Sequence, residues 1–211
     1  MKARLAALVL ALSALAVAPA QAATQHVVLA GGCFWGMQAV FESVRGVNKV
    51  VAGFSGGAAS TAHYEIVSTG MTGHAESVDV TYDPSKVSFN QLLDVYFLVA
   101  HDPTELNRQG PDEGSQYRSE IFYTNDEQRA QAASYIAKLN MRHTYGSPVV
   151  TKMEPYKAFY AAEDYHQDYL VHNPDSPYIV YNDMPKLAKL KATFPQLVRN
   201  NAAPMVTLAR Q

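Results

Sequence analysis

The sequence predicts one mixed α/β domain, on three observations. Short apolar or alternating segments of strand type interleave with segments whose apolar residues recur every three or four positions. No internal repeat, linker or shift of composition divides the chain. Its 211 residues, 48% hydrophobic and 17% charged, suit a folded domain with one sizeable core and exclude a disordered chain.

Residues 26–30 read as a short buried strand that stops at Gly31-Gly32. Helical spacing follows, with Phe34, Met37, Val40, Phe41 and Val44 on one face. Residues 47–54 have strand character and close on Gly56-Gly57. Residues 77–82 alternate polar with apolar side chains until Asp83-Pro84 ends them. A stripe through Leu92, Leu93, Tyr96 and Phe97 predicts a helix over 89–100. Residues 101–117, rich in Pro, Gly, Asp and Asn, predict a long surface loop of the kind that often carries function. Residues 119–123 read as a strand, 126–139 as a helix and 148–153 as a strand. Residues 154–200 are aromatic and dotted with prolines, and are expected to wrap the core with little regular structure.

The start of the chain has a different character. Lys2 and Arg4 precede an apolar run of 13 residues, 5–17, and Ala20-Gln21-Ala22 then offers a small-x-small cleavage pattern. The run is shorter than the roughly 20 residues of a membrane helix. Residues 1–22 therefore read as a cleaved secretory signal, an uncleaved N-terminal anchor being the alternative, with the bacterial periplasm as destination and residues 23–211 as a single domain, monomeric and free of the membrane after cleavage. Losing Lys2 and Arg4 takes the 17 cations to 15 against 19 acids. That negative balance argues against electrostatic binding of nucleic acid.

Cys33 is the one cysteine of the chain. In a secreted protein it has no internal disulfide partner, and a free thiol is open to oxidation and mispairing, so its presence needs a reason. Gly31-Gly32-Cys33-Phe34-Trp35-Gly36 places it where a strand hands over to a helix, and a thiol at a helix N-terminus is expected to fall below its ordinary value of about 8.5. The glycines permit a tight turn, and Phe34 with Trp35 offers an aromatic wall suited to a methyl group. Local context alone accommodates a buried structural cysteine equally well. Glu76, in Gly73-His74-Ala75-Glu76, sits among apolar neighbours where partial burial keeps a carboxyl protonated near neutral pH. Such an acid is what a departing oxide needs, although a solvated strand-edge glutamate fits the same pattern. Tyr64 and Tyr117 can supply hydroxyl donors, as can others of the 13 tyrosines.

Together these segments resemble the A-type peptide methionine sulfoxide reductases. The resemblance runs from about residue 26 to 180, through GGCFWG at 31–36, GFSGG at 53–57, Tyr64-Glu65, TGHAE at 72–76, YDPSKVS at 82–88, GSQYRS at 114–119 and AEDYHQDY at 162–169. It implies a ferredoxin-like two-layer sandwich with a mixed sheet. It also implies Cys33 as nucleophile, Glu76 as the acid toward the sulfoxide oxygen, and Tyr64 and Tyr117 as hydroxyl donors to that oxygen. Phe34 and Trp35 match the family's methyl pocket, and Asp112, His166 and Tyr169 match positions that contact the backbone or flank of the methionine. The implied substrates are the S epimer of methionine sulfoxide and oxidised proteins that carry it. No metal or bound cofactor is implied; the reductant is an external thiol, a thioredoxin-like protein or glutathione. The family often carries recycling cysteines near its C-terminus, whereas residues 170–211 hold none, so an internal disulfide relay is out of reach.

Other classes fit less of the chain. Acylation of Cys33 after signal cleavage would need an aliphatic residue where Ala30 stands, and the apolar run ends 16 residues upstream. A cysteine hydrolase would pair Cys33 with a histidine such as His74 or His166, but nothing selects one as base. His63, His101 and Asp102 lack metal-ligand spacing. A secreted binding domain would show no thiol-dependent turnover of oxidised methionine.

Overall fold

The run Val27-Val28-Leu29-Ala30 is buried on both faces, as a central strand requires. It forms the middle of β1 (Gln25–Gly31) in a computed structural model that describes residues 24–199. The secretory signal expected over residues 1–22 lies outside the described residues.

β1 pairs antiparallel on one side with β3 (Ala75–Tyr82) and on the other with β6 (Ser119–Tyr123). β2 (Val47–Ser55) lies outside β3, and β8 (Phe159–Ala161) outside β2. β7 (Lys152–Pro155) joins β6 in parallel, giving a six-stranded mixed sheet ordered β7-β6-β1-β3-β2-β8. α1 (Phe34–Glu42) connects β1 to β2, and α3 (Phe89–Val95) lies between β3 and β6. The four central strands thus follow a β-α-β-β-α-β path. Val27 and Leu29, Val78 and Val80, Ala52 and Phe54 point from the sheet into one cluster with Phe34, Met37, Val40 and Phe41 of α1 and Leu92 and Leu93 of α3. On the opposite face Val28, Ala30, Ala75 and Phe122 are covered by Tyr156 and Phe159. α4 (Asp126–Met141) packs on α3, its start capped by the Asn125 side chain accepting from the Gln128 N–H.

Four expectations change in extent. The helix read over 89–100 starts with a reciprocal Ser88–Gln91 capping box but leaves α-geometry after Val95 for a π turn, Tyr96–Ala100. That turn aims the Tyr96 hydroxyl at the Ala30 carbonyl, 2.7 Å away. The loop over 101–117 is partly ordered, with a two-residue hairpin of β4 (Arg108–Gln109) and β5 (Asp112–Glu113) and a 3₁₀ turn at Ser115–Tyr117. The strand expected over 148–153 begins only at Lys152, because the Val150 N–H is taken by the Pro103 carbonyl. The C-terminal wrap has more regular structure than expected. It carries β8, the short α5 (Tyr169–His172) and the ten-residue α6 (Met184–Thr193), which has Pro185 in its first turn and packs on α1 through Leu187 and Leu190.

Antiparallel register decides where the site lies. Ala30 faces Ser77, Ser55 faces Ala75 and Gly31 faces Ser119, so the ends of β1 and β2 and the starts of β3 and β6 share one edge. α2 (Tyr64–Val67), the β4–β5 hairpin and the C-terminal segment close over that edge.

Candidate active site

Cys33 is the N-cap residue of α1 and offers no side-chain oxygen to the first turn. Glu76 fills that role from β3, its Oε2 accepting the Phe34 N–H at 3.1 Å. The preceding Gly32 has φ of +88°, and a Cβ there would lie 2.5 Å from Cγ of Gln109, so turn and hairpin both require glycine.

Cys33, Phe34, Trp35, Tyr64, Glu76, Asp112, Tyr117 and Tyr178 line one cavity of about 220 Å³. Seven of the nine residues singled out from the sequence therefore converge. Glu76 is 2% exposed, and burial pushes its carboxyl up to about 8 against the partial pull of the Phe34 N–H. It stays protonated at neutral pH, as expected. Tyr64 and Tyr117 are both held above the usual tyrosine range, first by burial and then by Glu76, and so remain neutral donors. Asp112 is raised by burial and accepts a hydrogen bond from the Tyr178 hydroxyl.

Cys33 departs from expectation. A helix N-terminus was expected to lower its thiol, yet the residue is 7% exposed and its thiol is pushed well above the ordinary value. Dehydration is the main cause, followed by the carboxyls of Glu76 and Asp183; the Trp35 N–H and the Lys186 ammonium oppose them. The helix end contributes, but burial outweighs it.

His166 and Tyr169 also differ from expectation, since neither lines the cavity; they stand behind its aromatic wall. The Trp35 indole N–H donates to His166 Nδ1 at 3.1 Å, and Tyr169 stacks on the indole at 3.7 Å between ring centroids. The His166 ring also packs on Phe34 and Tyr64. Both residues orient the wall, because the AEDYHQDY segment is pinned under it: Gln167 bridges the backbone of Ala52 and Ala162, and Glu163 accepts the Tyr64 N–H.

The loops are cross-tied in the same way. Arg118 pairs with Glu120 at 2.6 Å and donates to the carbonyls of Gly73, His74 and Ser115, which holds the Tyr117 turn against the approach to Glu76. The His74 ring bridges Gly57 and Ala58. With His74 and His166 so engaged and no histidine in the lining, the hydrolase pairing has no base beside Cys33 among the described residues.

Sequence reasoning missed Tyr178, Asp183 and Lys186. Tyr178 stood among many tail aromatics with nothing to single it out. Asp183 and Lys186 carried one usable signal, opposite charges three residues apart at the start of a helix.

The family model for peptide methionine sulfoxide reductase matches residues 25–197. A relative from Mesorhizobium japonicum, peptide methionine sulfoxide reductase MsrA 2, is 59% identical over 174 residues, spanning 82% of this chain and 89% of its own. Among solved structures, reduced Mxr1 from Saccharomyces cerevisiae superposes with a TM-score of 0.68 at 34% identity, covering 75% of this chain and 89% of that one. Methionine sulfoxide reductase A of Corynebacterium diphtheriae gives a TM-score of 0.64 at 35% identity, over 74% and 77% of the two chains. The chain belongs to the A-type peptide methionine sulfoxide reductases, a family of oxidoreductases.

Proposed function

We propose that this protein reduces the S epimer of methionine sulfoxide, free and within oxidised proteins, at Cys33. The observation that supports this most directly is the meeting of the buried thiol with a carboxyl protonated at neutral pH and two neutral hydroxyls beside an aromatic wall. The sulfoxide methyl would sit against Phe34 and Trp35, with the oxygen among Glu76, Tyr64 and Tyr117. Cys33 sulfur attacks the electrophilic sulfoxide sulfur while Glu76 transfers its proton to the oxygen, and the hydroxyls stabilise the charge that develops there. The protonated oxygen then transfers to Cys33 sulfur: the new S–S bond and the substrate S–O bond break as the Cys33 S–O bond forms. Methionine leaves as the sulfide and Cys33 is left as sulfenic acid; two electrons pass from thiol to substrate. Asp112, which accepts from the Tyr178 hydroxyl, would take the substrate backbone N–H.

Regeneration falls to an external thiol, a thioredoxin-like protein or glutathione. A first thiol forms a mixed disulfide with Cys33 and releases water, and a second restores the Cys33 thiol. The proposed place of action is the bacterial periplasm, reached by cleavage of residues 1–22, which the mass of the mature protein tests. The reaction is tested with separate R and S sulfoxides and dithiothreitol. Turnover of S alone is expected, with Cys33→Ser inactive but folded. Activity on neither epimer, or retained activity in Cys33→Ser, overturns the proposal.

A further inference from the structure

Ionising a thiol is costly where Cys33 lies. It is 7% exposed and faces Glu76 from β3, the hydroxyls of Tyr64, Tyr117 and Tyr178, and Asp112 from β5. Asp183, at the junction with α6, adds a further carboxyl. These groups are neutral or negative. The opposing charge comes from Lys186, partly buried in α6, whose Nζ lies 3.0 Å from Asp183 Oδ1.

This pair reaches the nucleophile's helix through one gap. A Cβ on Gly36, three positions beyond Cys33 in α1, would lie 2.0 Å from Asp183 Oδ1 and 3.0 Å from Lys186 Nζ. Any side chain at Gly36 would evict the pair. Asp183 is fully buried, and its second oxygen, Oδ2, has no hydrogen-bond partner. A carboxylate buried in this way is tolerated when a cation compensates it. Gly36 lies in the first turn of α1, so the Lys186 ammonium that would meet its Cβ stands against the turn that begins at Cys33.

We propose that Lys186 is a positioning residue for the reaction: oriented by Asp183 through the gap at Gly36, it supplies the positive charge that stabilises the anionic form of Cys33. The role rests on Cys33 being the nucleophile. The two partners act with opposite sign. Lys186 favours the thiolate, while Asp183 disfavours it directly and tempers the lysine.

The test uses the full chain, whose single cysteine makes alkylation report Cys33 alone. The rate of modification by iodoacetamide, a neutral reagent, is followed against pH by intact mass. Lys186→Met is expected to move the midpoint up by about half a pH unit or more, Asp183→Asn to move it down, and Lys186→Arg to stay near wild type. At pH 7, kcat on the S sulfoxide with dithiothreitol should fall about threefold in Lys186→Met with KM unchanged, as the thiolate fraction falls. A midpoint in Lys186→Met within about 0.3 unit of wild type, or a shift of both variants in one direction, overturns the proposal. Should Lys186→Met fail to fold, Asp183→Asn decides: a downward shift supports the proposal, and none or an upward one overturns it. Shifts as expected in a protein without turnover on either epimer support the charge pair and sink the reductase reading.

Discussion

Glu76→Gln is expected to stabilise the protein increasingly as pH rises. Glutamine keeps the shape of the side chain and an oxygen to accept the Phe34 N–H, but cannot ionise. In the folded protein the carboxyl ionises near pH 8, against 4.5 in an ordinary setting. Between those values the folded state holds a proton that the unfolded chain has released. Stability conferred by the protonated carboxyl is therefore complete below pH 4.5, declines as pH rises and is lost once pH passes 8. The slope is about 1.4 kcal/mol per pH unit, so from pH 5 to pH 9 the advantage of the glutamine variant should widen by about 4 kcal/mol. Glu42, which burial and Asp168 raise to about 9, adds its own decline, but to both proteins equally, and cancels in the difference. Urea denaturation of the pair at pH 5, 7 and 9 measures the widening directly; by thermal unfolding it corresponds to a relative shift on the order of 10 °C. A gap that stays constant within about 1 kcal/mol would show that Glu76 is already ionised in the fold at neutral pH, and the proposed acid would have no proton to give.

Kinetics should follow the same group. The wild-type rate is expected to fall at alkaline pH where Glu76 and Cys33 are both ionised, whereas Glu76→Gln, with a lower but substantial rate, should lack that fall and Glu76→Ala should lose far more activity at every pH. Gly36→Ala gains up to about 1 kcal/mol in helix propensity but drives a methyl into Asp183, so a net loss of about 2 kcal/mol or more is expected by thermal unfolding, together with lost turnover. Tyr178→Phe removes the hydroxyl that Asp112 accepts, and KM for a methionine sulfoxide peptide should rise several-fold with kcat less affected; an unchanged KM would separate Asp112 from substrate binding.

The elements most legible in the sequence are those whose burial leaves a local trace. β1, buried on both faces, stands out as an apolar run, and β3 and β6 are bounded by turn residues that mark them within one or two positions. α6 was illegible because lysines surround its few apolar contacts, so its packing on α1 through Leu187 and Leu190 leaves no clear stripe. The site shows the same division. Cys33, Phe34 and Trp35 share one turn and could be read together, and Glu76 stood out through the TGHAE segment at the start of its strand. The direction of the Cys33 shift could not be read, because the local rule concerns the helix end while the burial that governs the shift, and after it Glu76 and Asp183, come from distant parts of the chain. His166 and Tyr169 were placed in the right neighbourhood but on the wrong layer, a distinction that depends on which ring faces of Trp35 are already covered.

The geometry around Cys33 also constrains how the catalytic cycle must close. The thiol is 7% exposed and forms part of the lining of the cavity in which the sulfoxide is proposed to bind. A sulfenic acid formed there can be attacked only after methionine has left, because the reductant's sulfur needs the space that the substrate occupied. Reduction of substrate and reduction of enzyme are therefore expected to alternate and never share a ternary complex. With dithiothreitol, initial-rate plots at several sulfoxide concentrations should give parallel lines, and excess sulfoxide should leave the mass of the protein increased by one oxygen when thiol is withheld. Intersecting lines would mean that the reductant reaches the sulfur while substrate is still bound, and would require a second approach to Cys33. A protein reductant meets the stricter form of the same constraint, since its cysteine has to enter past Tyr64, Tyr117 and Tyr178, which line the cavity with Cys33.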